Sequence, residues 1–355
     1  MHFTIDPNIA RAETIPSEWY RSSAAFAQAL EALFLGSWQF VSENPRSSGM
    51  EPLTLLPKTL AEPVILVSDG STPSILSNVC THRGNILLRS ACPLKEIRCG
   101  YHGRRFSSNG KCSYMPEFGG VEGFPSATDH LKQYPLREWE GLLFTCIGRE
   151  NMLFEEVFAD IRRRTGYLEL QNCSLRTDLL RSFTVQCHWA TYVENYLEGF
   201  HIPFVHGGLN AVLDFSLYET HILPWSVLQI GIARENDVVF HLPPNHVDAG
   251  KRVAAYYYFV FPNIMINVYP WGISLNIVEP VSTNETIVHY RTYVLRDDLL
   301  NTGAGSDLDT VEHEDDEIVE SVAKGLQSRA YTRGRYSPLR EQGVHAFHRI
   351  IARLL

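Results

Sequence analysis

The sequence predicts an α+β protein in two parts, and three observations predict it. From Trp38 to about Gly148, short apolar runs alternate with glycine, proline and asparagine turn signals, the pattern of a small all-β domain. Past Glu150 the composition shifts to helical patterns mixed with longer aromatic and β-branched runs, which reads as an antiparallel sheet packed against helices. At 355 residues the chain is long enough to build both cores. The expected divisions are residues 1–37, a helical segment packing on the second domain, then 38–150 and 151–355.

Taken in order, residues 16–37 read as an opening helix with Phe26, Leu30, Leu33 and Phe34 on one stripe. In the β domain, Val64-Ile65-Leu66-Val67-Ser68 precedes the Asp69-Gly70 turn, and Gly141-Leu142-Leu143-Phe144-Thr145 precedes Gly148. Asn109-Gly110 is a hairpin turn. Residues 153–165 are helical, 175–184 strand-like and 188–201 helical. Strands follow at 221–234, 253–268, 273–281 and 286–295. The Asn-, Gly-, Asp- and Ser-rich stretch 299–309 reads as an exposed, mobile loop. Helices at 310–328 and 338–355 close the chain. The most apolar run, Val253 to Ile273, is interrupted by Pro262, Asn263, Asn267 and Pro270, so it fits paired strands turning at Pro262-Asn263 better than a membrane span.

A formal charge of −9 argues against nucleic acid or an anionic membrane as partner, and Arg162-Arg163-Arg164 reads as a solvated helix face. Seven cysteines make no disulfide framework in a chain of this size. Cys92, Cys112, Cys146, Cys173 and Cys187 read as reduced, buried small hydrophobes, which points to the cytoplasm. The opening residues, from Met1 to Pro7, lack the basic and apolar regions of a signal peptide.

Chemistry concentrates first between Cys80 and His102. Cys80-Thr81-His82 and Cys99-Gly100-Tyr101-His102 each carry one cysteine and one histidine. Zinc fingers instead group their cysteines as one pair and their histidines as another. Two mixed loops let both thiolates hold one iron and both imidazoles the other, the arrangement of a Rieske [2Fe–2S] centre. Gly84, Gly100 and Gly103 suit tight loops passing close to cluster sulfurs.

A second constellation follows in the stretch from Glu194 to His206. His201 and His206 are five residues apart, about 140° around a straight helix, so they share a metal only if the helix ends between them. Pro203 supplies the expected break. The acidic run Glu312-His313-Glu314-Asp315-Asp316-Glu317 offers a third ligand, and two histidines with one carboxylate make the facial triad of non-heme iron oxygenases. Most of those carboxylates are also what a helix N-terminus favours.

Together the two loops, ENYLEGFHIPFVH and EDDEIVESVAKGL resemble the α subunit of a Rieske non-heme iron oxygenase across nearly the whole chain. The resemblance implies a helix-grip catalytic domain after the Rieske domain, and a homotrimer in which the cluster of one subunit lies near the iron of the next. It implies that Cys80 and Cys99 bind one cluster iron and His82 and His102 the other. It implies that His201, His206 and Asp315 bind the mononuclear Fe(II), with Asp316 as rival to Asp315. Glu198 matches the acidic residue that bridges the two metal sites between subunits. O2 is the implied co-substrate. Electrons would come from NAD(P)H through a separate flavin reductase or ferredoxin, since no G-x-G-x-x-G follows a strand here.

For the substrate pocket, Tyr192, Phe200, Phe204, Trp225, Tyr269 and Trp271 are the candidates. Aromatic faces can stack on a flat ring or cage a quaternary ammonium by cation–π attraction. The wording NYLEGFH is closer to choline, carnitine and betaine oxygenases, which implies hydroxylation or N-demethylation of a small substrate. Aromatic ring hydroxylation is the alternative. An electron carrier needs no His201, His206 and Asp315, and a structural zinc protein is disfavoured by the mixed loops.

Overall fold

The structure, a computed structural model, describes residues 2–45, 47–70, 72–306 and 308–355. It divides into two compact units, Trp38–Glu150 and, together, Met1–Ser37 with Asn151–Leu355.

The Trp38–Glu150 unit holds three small antiparallel sheets. One pairs Gly49–Leu55, Glu62–Ser68, Ser74–Ser77 and Gln133–Tyr134 in that order. The strand Glu62–Ser68 buries Val64 to Val67 because both of its edges are paired. A second sheet joins Ile97–Arg98, Arg105–Phe106 and Cys112–Tyr114, so Cys99 to Gly103 form the tip of a hairpin. Ile65, Leu76, Ile97 and Phe106 pack beneath the two cysteine loops.

In the other unit an eight-stranded antiparallel sheet runs Ser174–Leu175, Glu285–Val294, Gly272–Ser282, Ile264–Tyr269, Val253–Val260, Ser226–Ile232, Glu219–Leu223. Arg181–Val185 also pairs with Glu285–Val294. The run Val253 to Ile273 makes paired strands turning through Phe261-Pro262-Asn263, and Asn263 bonds Val278 across the sheet. The stretch 221–234 is a hairpin, not one strand. It turns at Pro224-Trp225, with Trp225 at φ 62°.

The helix Trp189–Tyr196 packs on Gly272–Ser282, Leu308–Leu326 and Gln342–Leu354. Its cap is His188, whose imidazole is pushed down to about 3 by burial, so a neutral Nδ1 accepts the Ala190 N–H at 3.2 Å. Tyr20 donates to Glu194 at 2.5 Å, His348 Nε2 meets the same carboxylate at 2.9 Å, and Tyr336 reaches His348 Nδ1 at 2.6 Å. One buried network thus ties the chain's beginning and end to this helix.

Several expectations are corrected. The opening helix breaks at Ser22, whose side chain caps the next turn; of the expected stripe Leu33 and Phe34 are fully buried, joined by Ala25 and Ala29, while Phe26 and Leu30 are half-buried. Arg164 does not sit on a solvated face: it is buried between Asp160 and Asp248. The stretch 299–309 is not simply exposed. Ala304 and Gly305 are buried in a short turn against Tyr269 and Trp271, and Asp307 lies outside the described residues. All seven cysteines are free, with Cys92 and Cys173 only half-buried. No helix among the described residues is long and apolar enough to cross a membrane.

The C-terminal helix approaches the 189–196 helix so closely that a Cβ on Gly343 would lie 2.3 Å from the Leu197 carbonyl oxygen. Gly343→Ala is therefore expected to lower unfolding free energy by about 1–3 kcal/mol, as overpacking does. Gly325→Ala, with open space around it, should be neutral or stabilising. Denaturant unfolding of the two variants checks the pair.

Candidate metal centres and cavity

The two cysteine loops are built alike. Gly84 N–H returns to Cys80 O at 2.9 Å and Gly103 N–H to Cys99 O at 3.1 Å. Both glycines take positive φ, 72° and 76°, which a side chain would resist. Gly100 does not share this conformation. Cys80 N–H bonds Asn85 O and Cys99 N–H bonds Arg104 O, each at 2.8 Å, closing both turns. The loops are tied by the buried Arg104, which donates to Thr81 Oγ1 at 2.7 Å and pairs with Asp129 at 3.2 Å.

Four donors converge as a result. His82 Nδ1 and His102 Nδ1 lie 3.2 Å apart, and Cys80 and Cys99 are buried. Burial raises the Cys80 thiol; at Cys99 burial is outweighed by the N–H groups of Tyr101 and His102. Tyr101 N–H points at Cys99 Sγ at 3.4 Å and the Asn85 amide at 3.6 Å. Two neighbouring thiols, two neighbouring imidazole nitrogens and N–H groups aimed at sulfur fit a [2Fe–2S] cluster.

The second set forms where the 189–196 helix stops. The helix ends at Leu197, before Pro203 is reached. Pro203 instead opens the short helix Ile202–Val205, where a missing N–H costs nothing. The turn between them runs through Gly199, where a Cβ would sit 2.7 Å from the Tyr218 ring. His201 and His206 consequently face each other, ring centroids 5.0 Å apart.

Ligand atoms of His201, His206 and Asp315 all lie within 4.8 Å of one another. Asp315 Oδ1 is 3.5 Å from His201 Nε2 and 3.0 Å from His206 Nε2, and accepts from the Asn195 amide at 2.6 Å. The outer nitrogens are engaged as well: His201 Nδ1 meets Glu198 Oε1 at 2.8 Å, and His206 Nδ1 meets Glu314 Oε2 at 2.7 Å. Glu198 Oε2 also accepts the backbone N–H groups of Phe200 and His201. Asp316 is not part of this set. Its carboxyl is pushed up to about 6 by burial, and Oδ1 is buried without a partner. The donors fit one divalent iron with open positions. Glu314 and Asn195 have no motif of their own; for Glu314 the signal was a histidine's second nitrogen needing an acceptor, and for Asn195, a donor to Asp315, there was none.

Beside the triad lies a cavity of about 90 Å3 lined by Tyr192, Tyr196, Tyr218, Tyr257, Tyr269 and Glu312, among others. Tyr192 and Tyr269 were expected there. The other four aromatics were not placed there by the fold. Phe200 and Phe204 are 42% and 81% exposed and meet each other edge-on. Trp225 lies in its hairpin turn beneath the Arg353 guanidinium. Trp271 stacks behind Tyr269 at 4.9 Å and lines a neighbouring cavity. Glu312 sits on the wall between both cavities, bonded by Tyr192 at 3.0 Å and by Tyr290. Burial pushes its carboxyl up to about 8, against the pull of the Tyr290 hydroxyl.

Comparison with known proteins settles the family. Residues 168–355, more than half of the chain, match the ring hydroxylating alpha subunit (catalytic domain) family, and residues 44–135 match the Rieske [2Fe-2S] domain. The chain belongs to the ring hydroxylating alpha subunit family. It is a Rieske-type non-heme iron oxygenase, a terminal oxygenase component that works with a separate reductase. Choline monooxygenase of Arabidopsis thaliana is 28% identical over 97% of this chain and 83% of its own. The carnitine monooxygenase oxygenase subunit of Acinetobacter pittii is 28% identical over 99% of this chain and 96% of its own. The fold matches a crystal structure of a quaternary ammonium Rieske monooxygenase with a TM-score of 0.77, at 22% identity, covering 100% and 99% of the two chains.

Asp315→Ala is expected to remove the mononuclear iron while leaving the visible spectrum of the cluster intact, whereas Asp316→Asn should retain both. Iron per chain, measured with the spectrum, separates the two carboxylates. Glu314→Gln should weaken iron binding by roughly 10- to 100-fold, the usual effect of losing a histidine's outer partner.

Proposed function

We propose that this oxygenase is a monooxygenase of a small quaternary ammonium compound, which it hydroxylates or N-demethylates. The observation that carries the reading is the cavity beside the triad: five tyrosine side chains and, besides the triad-side carboxylates Glu198 and Asp315, the carboxyl group of Glu312. Tyrosine faces attract a cation that has shed its water, and Glu312 supplies the opposite charge. An aromatic hydrocarbon would offer no charge to draw that carboxyl into its ionised form. The choline and carnitine enzymes among the relatives agree with this reading.

When bound, the cluster would supply one-electron redox chemistry and the iron would supply dioxygen activation. Cys80, Cys99, His82 and His102 hold the first; His201, His206 and Asp315 hold the second. Glu198 and Glu314 orient the imidazoles so that both Nε2 atoms face inward. Tyr192 and Tyr290 hold Glu312 by their hydroxyls and aim its charge at the cavity. The bound cation is then fixed beside Asp315, with its methyl groups against tyrosine rings rather than water.

The working unit in this reading is a cytoplasmic homotrimer, fed from NAD(P)H through a flavin reductase or ferredoxin. Glu198, held against His201 on the edge of the cavity, would link the triad to His102 of the next subunit. The free state of all seven cysteines supports the reducing compartment.

Electron paramagnetic resonance of the anaerobic iron(II) protein with nitric oxide, titrated with choline, carnitine and benzoate, tests the substrate class. An iron–nitrosyl signal perturbed by the amines and not by benzoate is expected; perturbation by benzoate alone would select ring hydroxylation. Glu312 adds a pH signature. Its raised carboxyl must lose a proton to serve a cation, so amine affinity should rise as pH increases through about 8. Glu312→Gln should weaken amine binding about tenfold or more and flatten that dependence, as direct binding measurements will show. Glu198→Gln should keep both metals yet slow single-turnover oxidation of a prereduced cluster.

A further inference from the structure

The sheet contributes a polar row to the catalytic cavity that neither the triad nor the binding of a cation uses. Gln229, Tyr257 and Asn267 are paired directly across three adjacent strands, so their side chains leave the same face. All three line the cavity and are buried, at 2%, 9% and 5% exposure. Asn267 Oδ1 is taken by the Tyr196 hydroxyl at 2.7 Å. Gln229 is only half engaged. Its Nε2 donates to the Tyr196 carbonyl at 2.6 Å, which fixes the amide's orientation, because a flipped amide would set oxygen against oxygen. Oε1 is left buried with no hydrogen-bond partner among the described residues. The Tyr257 hydroxyl on the next strand also makes no hydrogen bond there, although Tyr269 lies near enough to influence it. Burial opposes its ionisation, so it keeps its proton and stays a donor.

We propose that Gln229 and Tyr257 form a subsite for a hydroxyl on the substrate's tail, and that they select a quaternary ammonium alcohol over amines whose tail is a carboxylate. A hydroxyl has one proton to give and lone pairs to accept with. It can donate to Gln229 Oε1 while accepting from Tyr257, which completes both groups at once. A carboxylate has no proton for Gln229. It would also meet the carboxyl groups of Glu198, Glu312 and Asp315, on a lining where no lysine or arginine among the described residues offsets its charge. An alkyl tail would bury both polar atoms unpaired. Likeness does not make this choice, since the choline and carnitine enzymes are equally identical to this chain. The inference rests on the quaternary ammonium reading and adds to it which tail the cavity accepts.

The test is calorimetric binding to the anaerobic iron(II) protein of three trimethylammonium compounds similar in size: choline, propyltrimethylammonium and glycine betaine. Choline should bind about tenfold or more tighter than propyltrimethylammonium, in which a methyl replaces the hydroxyl. It should bind about a hundredfold or more tighter than glycine betaine, whose tail is a carboxylate. Tyr257→Phe, which removes a single oxygen, should bring the ratio of choline to propyltrimethylammonium affinity down severalfold toward one. Gln229→Met should lower that ratio further. Because it also loses the Tyr196 contact, its circular dichroism and cluster spectrum are compared with the parent, and Tyr257→Phe carries the test if it fails to fold. A merely structural role would weaken both amines alike and leave the ratio unchanged. Three results would each overturn the hydroxyl subsite while leaving the cation reading in place: that unchanged ratio, equal binding of choline and propyltrimethylammonium by the parent, or glycine betaine bound as tightly as choline. If none of the three compounds binds, the cation reading itself fails and the subsite falls with it.

Discussion

Two imidazole–carboxylate pairs hold the catalytic site together. A neutral histidine offers one nitrogen to a metal only if the other carries the proton, and an acceptor on that side selects the tautomer. Glu198 on Nδ1 of His201 and Glu314 on Nδ1 of His206 do this at 2.8 and 2.7 Å. Both Nε2 atoms then face Asp315, which Asn195 steadies from the 189–196 helix. Without those partners the rings could rotate freely, and three ligands spread over 115 residues of sequence would have no reason to share one point.

The backbone makes these pairs available. The helix ends at Leu197 because the chain must turn within five residues to bring His206 back toward His201. Gly199 permits the turn by leaving room for the Tyr218 ring. The same turn therefore shapes both metal site and cavity, since Tyr218 lines the latter. Beneath it the half-buried Glu194 carboxylate takes Tyr20 and His348, so the two ends of the chain hold the helix whose last residues carry the site. Such a network is costly if partly satisfied and rigid when complete.

The cavity repeats this logic with opposite emphasis. A carboxylate set among tyrosines is expensive to ionise, and two hydroxyl donors only partly offset the burial. Leaving it there makes sense where a cation arrives to complete the charge balance. In the cluster unit, by contrast, loop carbonyls and backbone N–H groups are mutually bonded, and Arg104 ties the two loops through Thr81.

By itself the sequence determined the elements whose signal is local. Cysteine and histidine spacing, the strands flanking Asp69-Gly70, the turn at Pro262-Asn263 and the helices expected at 153–165 and 310–328, observed at Phe154–Thr165 and Leu308–Leu326, depend on neighbours within a few residues. Together with the family resemblance it also pointed to His201, His206 and one carboxylate of the pair Asp315-Asp316 as the residues that meet in the triad. Tertiary structure decided what depends on facing. It separated Asp315 from Asp316, because successive residues on a helix point about 100° apart and only one can face His206. It recruited Tyr196, Tyr218 and Tyr257, and left Phe200 and Phe204 in solvent. In the run Tyr256-Tyr257-Tyr258, strand alternation turns the middle ring to the cavity and the outer two to Asp248 and Asp160. An aromatic residue looks the same in sequence whichever way it points; packing against other segments sets that direction.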